Sequence, residues 1–313
     1  MRYLGSKIKL LPAIEAVIQK YNIQGDTFAD LFAGTGCVGD YFKGTYRVIS
    51  NDFLYYSYVF NRAKLSFCDI PAFGKFKEIY GCTPFEWLND REYTPDNTYF
   101  IYHNYTPRGE RMFFTVENGI KIDGIRQDIE NFKNNDLVTD DEYYFLLASL
   151  LESVTRYSNT SGTYEAYFKF WDVRAEKTFE IEPLEMNCVN VVFKNIVYCE
   201  DTNQLVRNIE GDIAYIDTPY TVTQYVSAYH LLETLARYDC PKITGIGGKR
   251  GRGNKNSLYA RRFEAKAQFE DLFRQIQFKH VIISYSNQGL VPVEELVDLA
   301  KLFAVDNKVH VEY

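Results

Sequence analysis

The sequence lacks the features that mark several protein classes. Its 313 residues include only four histidines and six cysteines, and no two cysteines form a Cys-x-x-Cys pair. Scattered thiols of this kind argue against a zinc site and a disulfide framework, so we expect no metal. No apolar run reaches the roughly 18 residues that a membrane span needs, and no signal-peptide pattern opens the chain. We therefore expect a cytoplasmic protein with no membrane partner.

An excess of basic charge is also missing. The chain has 35 Lys and Arg against 42 Asp and Glu, a net charge of −7. That average counts against a nucleic-acid partner, but phosphate binding needs only a local basic surface. Residues 242–266 supply one, with eight basic residues and a single acid, Glu264.

A glycine-rich stretch within that segment predicts a flexible arm. Residues 245–256 hold four glycines beyond Gly245, which we interpret as incompatible with a stable helix or strand. Cations on such a backbone would suit an arm that closes on phosphates, and a disordered linker is the alternative interpretation. The candidate DNA contacts here are Lys249, Arg250, Arg252 and Lys255.

Two strand ends near the start of the chain indicate a ligand site. The buried run 27–32 leads into Gly34-x-Gly36-x-x-Gly39, where glycines let the backbone pass close to a ligand. Asp52 lies 18 positions after Gly34 at the tip of the run 46–52, where its oxygens could accept ribose hydroxyls. The glycines also fit a dinucleotide fingerprint, and Asp52 could simply cap a helix beginning near Phe53.

The tetrad Asp217-Thr218-Pro219-Tyr220 ends the apolar run 213–216. It places a carboxylate, a backbone carbonyl, a rigid proline and an aromatic ring within four residues. The two acceptors could grip an exocyclic amine while the ring stacks on a base that has been taken out of the duplex. The alternative is a strand end running into an ordinary turn, which Asp and Pro favour.

These segments together resemble the Dam-like, alpha-group N6-adenine-specific DNA methyltransferases. The family tetrad is usually Asp-Pro-Pro-Tyr, and Thr218 stands where its first proline is expected. The resemblance is sharpest at 2–7 (Arg-Tyr-Leu-Gly-Ser-Lys), 30–36 (Asp-x-Phe-x-Gly-x-Gly), 217–220 and 229–234 (Tyr-His-Leu-Leu-Glu-Thr). It implies catalysis by Asp217, Thr218, Pro219 and Tyr220. It implies S-adenosyl-L-methionine as cofactor, contacted by Tyr3, Lys7, Asp30, Phe32, Gly34, Gly36, Asp52, Asp201 and Asp217.

The predicted architecture is an α/β, Rossmann-like methyltransferase sheet with a large insertion. Residues 1–60 and 196–313 would form the catalytic core, and residues 61–195 an inserted, mainly helical target-recognition lobe. Apolar periodicity and turn signals predict the remaining elements. We expect helices at 7–21, 122–134, 140–154, 229–238 and 258–276, a hairpin at 115–122 on an Asn-Gly turn, and strands at 196–199, 212–217, 280–285 and 309–313.

The insertion supplies further candidate DNA contacts. The segment 158–164 is rich in small donors and acceptors, and Asn159 could read base edges or phosphates, although a plain loop fits equally well. Arg108, Arg111, Arg126 and Arg156 are candidates too, with surface ion pairing as the alternative. His230 is not expected to act as a base, since it falls in an amphipathic helix.

The sequence therefore predicts a site-specific DNA adenine N6-methyltransferase in a restriction-modification setting, with DNA and a cognate restriction endonuclease as partners. Three alternatives stay open at this point: an N4-cytosine methyltransferase, a nicotinamide oxidoreductase that uses the glycines, and a non-catalytic DNA-binding protein of the same fold. Because the carbonyl of residue 218 belongs to the backbone, we expect activity to survive the loss of the usual proline.

Overall fold

A five-stranded parallel sheet forms the centre of the molecule. The computed structural model describes residues 5, 7–251, 253 and 255–312. The sheet strands are β1 (Thr27–Asp30), β2 (Arg47–Asn51), β3 (Ile196–Tyr198), β4 (Glu210–Ile216) and β7 (Gln277–Ile283). They lie in the order β3-β2-β1-β4-β7. Two short strands, β5 (Ile243–Thr244) and β6 (Lys249–Arg250), pair antiparallel to each other. The predicted α/β, Rossmann-like fold is confirmed.

Thirteen α-helices are found in the part of the chain that the structure describes. They are α1 (Leu11–Lys20), α2 (Cys37–Phe42), α3 (Tyr55–Ser66), α4 (Gly74–Tyr80), α5 (Pro84–Asp90), α6 (Phe100–Tyr105), α7 (Val116–Asn134), α8 (Asp140–Tyr157), α9 (Thr202–Leu205), α10 (Tyr225–Ala228), α11 (His230–Arg237), α12 (Ala265–Gln275) and α13 (Val293–Lys301). Short 3-10 turns occur at Ile8–Leu10, Pro107–Gly109, Leu258–Ala260 and Val305–Asn307.

Alternation along the central strands places helices on both faces of the sheet. Successive side chains of a strand point to opposite faces. Phe28, Ile213 and Tyr215 pack with apolar residues of α1 and α2 on one side. Ala29 and Ala214 pack with α9, α12 and α13 on the other. Both faces are covered, which explains why consecutive residues are apolar at 28–29 in β1 and at 213–216 in β4.

The insertion shares its hydrophobic core with the parts of the chain that flank it. Buried side chains of α3 to α8 form one cluster with those of α10 and α11. Arg126 on α7 is buried and donates to the carbonyl oxygens of Leu235 (3.0 Å) and Ala236 (3.2 Å) at the end of α11. The boundary that the sequence suggested, between residues 60 and 61, falls in the middle of α3.

The hairpin prediction at 115–122 is wrong, because this stretch begins helix α7. The Thr115 hydroxyl accepts from the Asn118 backbone N–H and caps the helix. Gly119 is required by packing and not by a turn, since a Cβ there would lie 2.3 Å from Cγ2 of Thr106. The helices expected at 122–134 and 140–154 are present as α7 and α8.

The carboxyl-terminal predictions are met in part. The strand expected at 280–285 is β7, and the helix expected at 258–276 is a 3-10 turn followed by α12. Residues 309–312 form no strand, and residue 313 lies outside the described chain. Instead Glu312 accepts from the Lys20 ammonium (2.6 Å) and the Tyr21 hydroxyl (2.5 Å) at the end of α1. The tail is thus held by side-chain contacts with the end of α1 and adds no strand to the sheet.

Within the described residues, no helix has the length and apolar character that crossing a membrane requires. The same residues contain no cluster of three His, Cys, Asp or Glu side chains suited to a metal ion. All six cysteines are free thiols.

Candidate active site

One pocket lies at the carboxyl ends of β1, β2 and β4 and encloses about 1110 Å³ of space, part of it open to solvent. Most residues predicted to bind cofactor or to catalyse line it: Lys7, Asp30, Phe32, Gly34, Asp52, Asp201, Asp217, Thr218, Pro219 and Tyr220. Tyr3 lies outside the described residues. The sheet thus brings together segments that are almost 190 positions apart in sequence, as parallel strands do at this edge.

Glycines shape the turn that follows β1. Gly34 and Gly36 have φ of +53° and +76°, a region that side chains with a Cβ disfavour. The Gly34 N–H donates to Oδ2 of Asp52 (2.8 Å), and its carbonyl accepts from the Asn61 amide (3.0 Å). A Cβ on Gly36 would lie 2.6 Å from Oδ1 of Asn61. Gly34 therefore lines the pocket, whereas Gly36 lies outside the lining and packs against Asn61.

Asp52 fixes the end of β2. Besides the Gly34 N–H, its carboxylate accepts from the backbone N–H of Leu54 (2.9 Å). Helix α3 begins at Tyr55 and has no side-chain cap, so Asp52 shapes the turn before the helix and does not cap it in the usual way. Burial raises the pKa of Asp52 to about 6. The carboxylate lines the pocket while holding the glycine turn.

Asp30 is a buried carboxyl without a compensating partner. Its side chain is 1% exposed, and neither oxygen has a hydrogen-bond partner among the described residues. Burial, followed by the nearby charges of Asp217 and Asp52, raises its pKa to about 8. A polar group that is buried and unpaired is costly. Since Asp30 lines the pocket, a ligand carrying donors or positive charge would relieve that cost.

Asp217 is paired with Lys7 in this pocket. The Lys7 ammonium lies 2.8 Å from Oδ1 of Asp217 and 5.4 Å from the centre of the Tyr220 ring. Both charged side chains are largely buried. Burial raises the pKa of Asp217 to about 6, although the Lys7 charge opposes the rise. The ion pair therefore keeps the carboxyl closer to its ionised form than burial alone would allow.

The rest of the tetrad is held by the loop after β7. Thr218 is buried, so the position of the missing proline faces the interior. The Tyr220 carbonyl accepts from the Leu290 N–H (3.0 Å), and the Tyr220 ring meets Tyr285 edge-on at 6.3 Å. Sequence reasoning assigned no role to residues 284–290. The aromatic residue Tyr285, two positions after β7, was a local signal that could have indicated one.

Asn51 joins three strand ends and was also missed. Its amide nitrogen donates to the Glu200 carbonyl (3.2 Å) and the Thr202 hydroxyl (3.1 Å), and its oxygen accepts from the Glu200 N–H (3.0 Å). The Thr202 hydroxyl donates to the Leu31 carbonyl (2.9 Å). Asp201, between these two residues, caps α9 by accepting from a backbone N–H and lines the pocket. The network fixes the edge on which Asp201 sits.

Asn159 is a structural residue in this conformation. It is fully buried, and its amide nitrogen lies within hydrogen-bonding distance of the carbonyl oxygens of Met112 (3.0 Å), Phe168 (3.1 Å) and Phe170 (3.0 Å). Its oxygen accepts from the Asp172 N–H (3.0 Å). Because these bonds use its hydrogen-bonding capacity, Asn159 is not available to DNA here. It shapes the loop that follows it.

The glycine-rich stretch is more ordered than the sequence predicted. Strands β5 and β6 make a short antiparallel pair, and Arg111 donates to the carbonyl oxygens of Gly245 and Ile246 (both 3.1 Å). The interpretation of residues 245–256 as unable to form a strand is therefore wrong at β6. The hydrogen bonds from Arg111 restrain a backbone that its glycines would otherwise leave flexible.

The predicted DNA-binding cations of this stretch have intramolecular partners. Lys249 pairs with Glu165 (3.0 Å), and Arg250 pairs with Asp239 (2.7 Å). Lys255 donates to the Phe53 carbonyl (2.7 Å) and lines the pocket. Arg252 lies outside the described residues.

The four arginines of the insertion that were predicted to contact DNA lie in three different settings. Arg126 and Arg111 hold backbone carbonyls, and Arg156 pairs with Glu182 and Glu185. Arg108 is exposed.

His230 is buried against the insertion. Its Nε2 lies 2.7 Å from the Tyr164 carbonyl, and burial lowers its pKa to about 4. It does not line the pocket. A neutral imidazole in this position is a packing residue, in line with the view that it is not a base.

The chain belongs to the family of D12 class N6 adenine-specific DNA methyltransferases, whose family model matches residues 3–296. It is 58% identical over 313 residues to the modification methylase LlaI of Lactococcus lactis subsp. lactis, and the matched region covers the whole chain and 50% of that relative. It is 43% identical over 305 residues to the type II methyltransferase M.FokI of Planomicrobium okeanokoites (96% of the chain, 47% of the relative). A third relative, the type II methyltransferase M.NlaIII of Neisseria lactamica, is 38% identical over 322 residues (100% and 91%).

The chain thus spans about half the length of the first two relatives and most of the third. No solved structure matches it.

Proposed function

We propose that this protein is a site-specific DNA adenine N6-methyltransferase that uses S-adenosyl-L-methionine. The observation that carries the proposal is the meeting of Asp217 and Tyr220 with the glycine turn, Asp30 and Asp52 in one pocket. A nicotinamide enzyme would leave the Lys7–Asp217 pair and the tetrad without a role. The relatives' names, which describe modification methylases and type II methyltransferases, support a restriction-modification setting.

The pocket fits the proposed cofactor chemically. S-adenosyl-L-methionine would supply an activated methyl group on a positively charged sulfur. Asp30, whose two oxygens have no hydrogen bond of good geometry to the described residues, suits the positive end of that molecule. Asp52 has acceptor oxygens for ribose hydroxyls, and Phe32 with Gly34 offers an apolar surface and a close backbone approach. Lys7, Gly36 and Asp201 complete the proposed set, and Tyr3 remains a prediction from the sequence.

The tetrad residues would orient the target amine. The lone pair of the adenine N6 is delocalised into the ring, so the amine is a poor nucleophile. Asp217 and the Thr218 carbonyl would each accept one N6 hydrogen and draw the lone pair toward the methyl group. Pro219 fixes the backbone between them and Tyr220. Tyr220 would stack on the flipped base, and holding both reactants in one pocket supplies much of the rate.

The proton transfer that accompanies methylation needs no strong base. Before attack, Asp217 acts best as the ionised carboxylate, because the charge makes it a stronger hydrogen-bond acceptor and offsets the positive charge that develops on N6. The Lys7 charge favours that state. After attack, the surplus proton leaves the cationic methylated amine, which is acidic enough to lose it to solvent or to Asp217. His230, neutral and outside the pocket, has no part in this step.

For DNA, we propose that the mainly helical insertion carries target recognition and that the β5–β6 hairpin contacts phosphates. Lys249 and Glu165 form an exposed ion pair, which is worth little and can be exchanged for a phosphate contact. The Arg250 side chain is largely buried beside Asp239, so it would have to leave that partner to reach a phosphate. Arg108 is exposed on the insertion and Arg252 follows β6 in sequence. Asn159 would act indirectly, by fixing the loop that contains Phe168 and Phe170. A cognate restriction endonuclease is the proposed functional partner.

The test is incubation of the protein with labelled cofactor and genomic DNA, followed by methylation-sensitive sequencing. We expect N6-methyladenine within one short motif, whereas N4-methylcytosine in the mass spectrum would support the cytosine alternative. Asp217→Ala should abolish transfer and leave cofactor binding measurable. An active Asp217→Ala protein would overturn the assigned role. Cofactor binding without any transfer would instead favour a DNA-binding protein without catalysis.

A further inference from the structure

Residues 255–259, which we call the pocket strap, close one side of the pocket. Lys255, Ser257, Leu258 and Tyr259 all line it. The strap follows the β5–β6 hairpin in sequence and precedes α12. It belongs to the basic segment whose composition suggested phosphate binding.

The strap is tied to two different walls of the pocket. Gln224, just before α10, exchanges two hydrogen bonds with Ser257: its amide nitrogen donates to the Ser257 carbonyl (3.0 Å) and its oxygen accepts from the Ser257 N–H (2.9 Å). The Tyr259 hydroxyl donates to Asn203 on α9 (2.7 Å), and the Tyr259 ring meets Phe32 edge-on at 5.3 Å. These contacts fix the backbone of the strap in place.

Lys255 ties the strap to a third wall. Its ammonium lies 2.7 Å from the Phe53 carbonyl and 4.0 Å from the centre of the Phe53 ring. Phe53 directly follows Asp52 and lines the pocket. The lysine therefore holds both the backbone and the ring of the residue next to the proposed ribose acceptor.

We propose that Lys255 is a positioning residue of the cofactor pocket and not a phosphate contact. The inference rests on the proposed use of S-adenosyl-L-methionine and deepens it. Lys255 acts through Phe53: its hydrogen bond and its position over the ring keep Phe53 against the cofactor. Hydrogen bonds that involve a charged group are stronger than neutral ones, so the bond to the Phe53 carbonyl favours the position of the Lys255 ammonium in the pocket over a position in solvent.

Two equilibrium measurements distinguish the roles. The first is the Kd of S-adenosyl-L-methionine for the wild-type chain and for Lys255→Met, which keeps most of the stem and removes the donor. We expect binding about tenfold weaker or more in the variant, because a charge-assisted hydrogen bond is lost. The second is the salt dependence of binding to a short DNA duplex of arbitrary sequence. We expect its slope to be unchanged.

A phosphate contact gives the opposite pattern. The slope of log K against log salt would then fall in magnitude by about 0.9, and the cofactor Kd would not change. Either of these results overturns the inference. If the wild-type protein itself fails to bind S-adenosyl-L-methionine, the proposed function fails, which is a different outcome from a Lys255→Met protein that binds as well as wild type.

Two further variants control the comparison. Lys242→Met removes an exposed lysine from the same basic segment and should leave the cofactor Kd unchanged. Gln224→Leu releases the strap without altering any charge and should also weaken cofactor binding, by several-fold. This second variant keeps the idea testable if Lys255→Met does not fold. Normal cofactor binding by Gln224→Leu would contradict a role for the strap as a fixed wall.

Discussion

Replacing Lys7 with Met should move the pH dependence of methyl transfer. The Lys7 ammonium is 2.8 Å from Asp217, and its charge opposes the rise that burial causes in the pKa of that carboxyl. The ionised form of Asp217 is the stronger acceptor for the target amine and stabilises the positive charge that develops on it. Because a raised pKa favours the protonated acid, the rate should fall as the pH drops through the pKa of Asp217. Removing Lys7 should bring that fall to a higher pH.

The size of the effect follows from the position of the pair. In the wild-type protein the pKa of Asp217 is about 6, so most of the carboxyl is ionised at pH 7. A neighbouring cation at this distance typically lowers an acid's pKa by about one to three pH units. If its loss moves the midpoint by about two units, only about a tenth of the carboxyl stays ionised at pH 7. The rate there should drop about tenfold and recover near pH 9.

The measurement is the single-turnover rate between pH 5 and 10 with cofactor and DNA both saturating. Saturation separates this effect from any loss of cofactor affinity, since Lys7 also lines the pocket. Lys9→Met is the matched control, because Lys9 is exposed two residues away, and its profile should match the wild type. An unshifted profile for Lys7→Met, at any absolute rate, would refute the reasoning.

Three other substitutions test the scaffold of the site. The pKa of Asp30 is raised to about 8, so the folded protein keeps a proton that the unfolded chain releases near pH 4. The stability of the cofactor-free protein should therefore decline as the pH rises from 5 to 8. Thermal melts of Asp30→Asn should lack that part of the decline, and an unchanged pH dependence would contradict the prediction. Gly36→Ala should destabilise the protein by about 1–3 kcal/mol through positive φ and a steric clash, measured by urea unfolding, whereas Gly74→Ala, with nothing within 4 Å, should be nearly neutral. Asn159→Ala should lower the free energy of unfolding by about 2–4 kcal/mol, because several buried backbone groups lose their hydrogen-bond partner. Asn135→Ala, at an exposed position, is the control, and equal stability of the two variants would argue against the buried network.

Much of the sheet and pocket could be predicted because strand ends carry local signals. The apolar runs before Asp30, Asp52 and Asp217 each predicted a strand, and parallel strands bring such ends to one edge. The glycine turn was predicted because glycines let the backbone pass close to a ligand, and the structure adds a positive φ at Gly34 and Gly36. The resemblance of four short segments to one family then indicated what the pocket holds, which composition alone did not.

Contacts between distant segments could not be predicted. Gly119 looked like a hairpin turn, because nothing in the local sequence shows that Thr106 packs where its side chain would be. Residues 245–256 looked like a flexible arm, because the Arg111 side chain that fixes them lies over 130 positions earlier. Lys255 and Asn159 looked like solvent-facing DNA contacts for the same reason. In each case a tertiary partner overrides the local preference.

The shared core of α3 to α8 with α10 and α11 bears on how such an enzyme can acquire a new target sequence. An insertion with its own core could be exchanged between relatives as a cassette, cut at its two ends. Here a cut at residue 60 would split a helix, and a foreign lobe would meet apolar side chains of α10 and α11 shaped for another surface. If the insertion carries target recognition, as proposed, we expect new specificity to be reached more readily by replacing exposed residues in place than by transplanting the lobe.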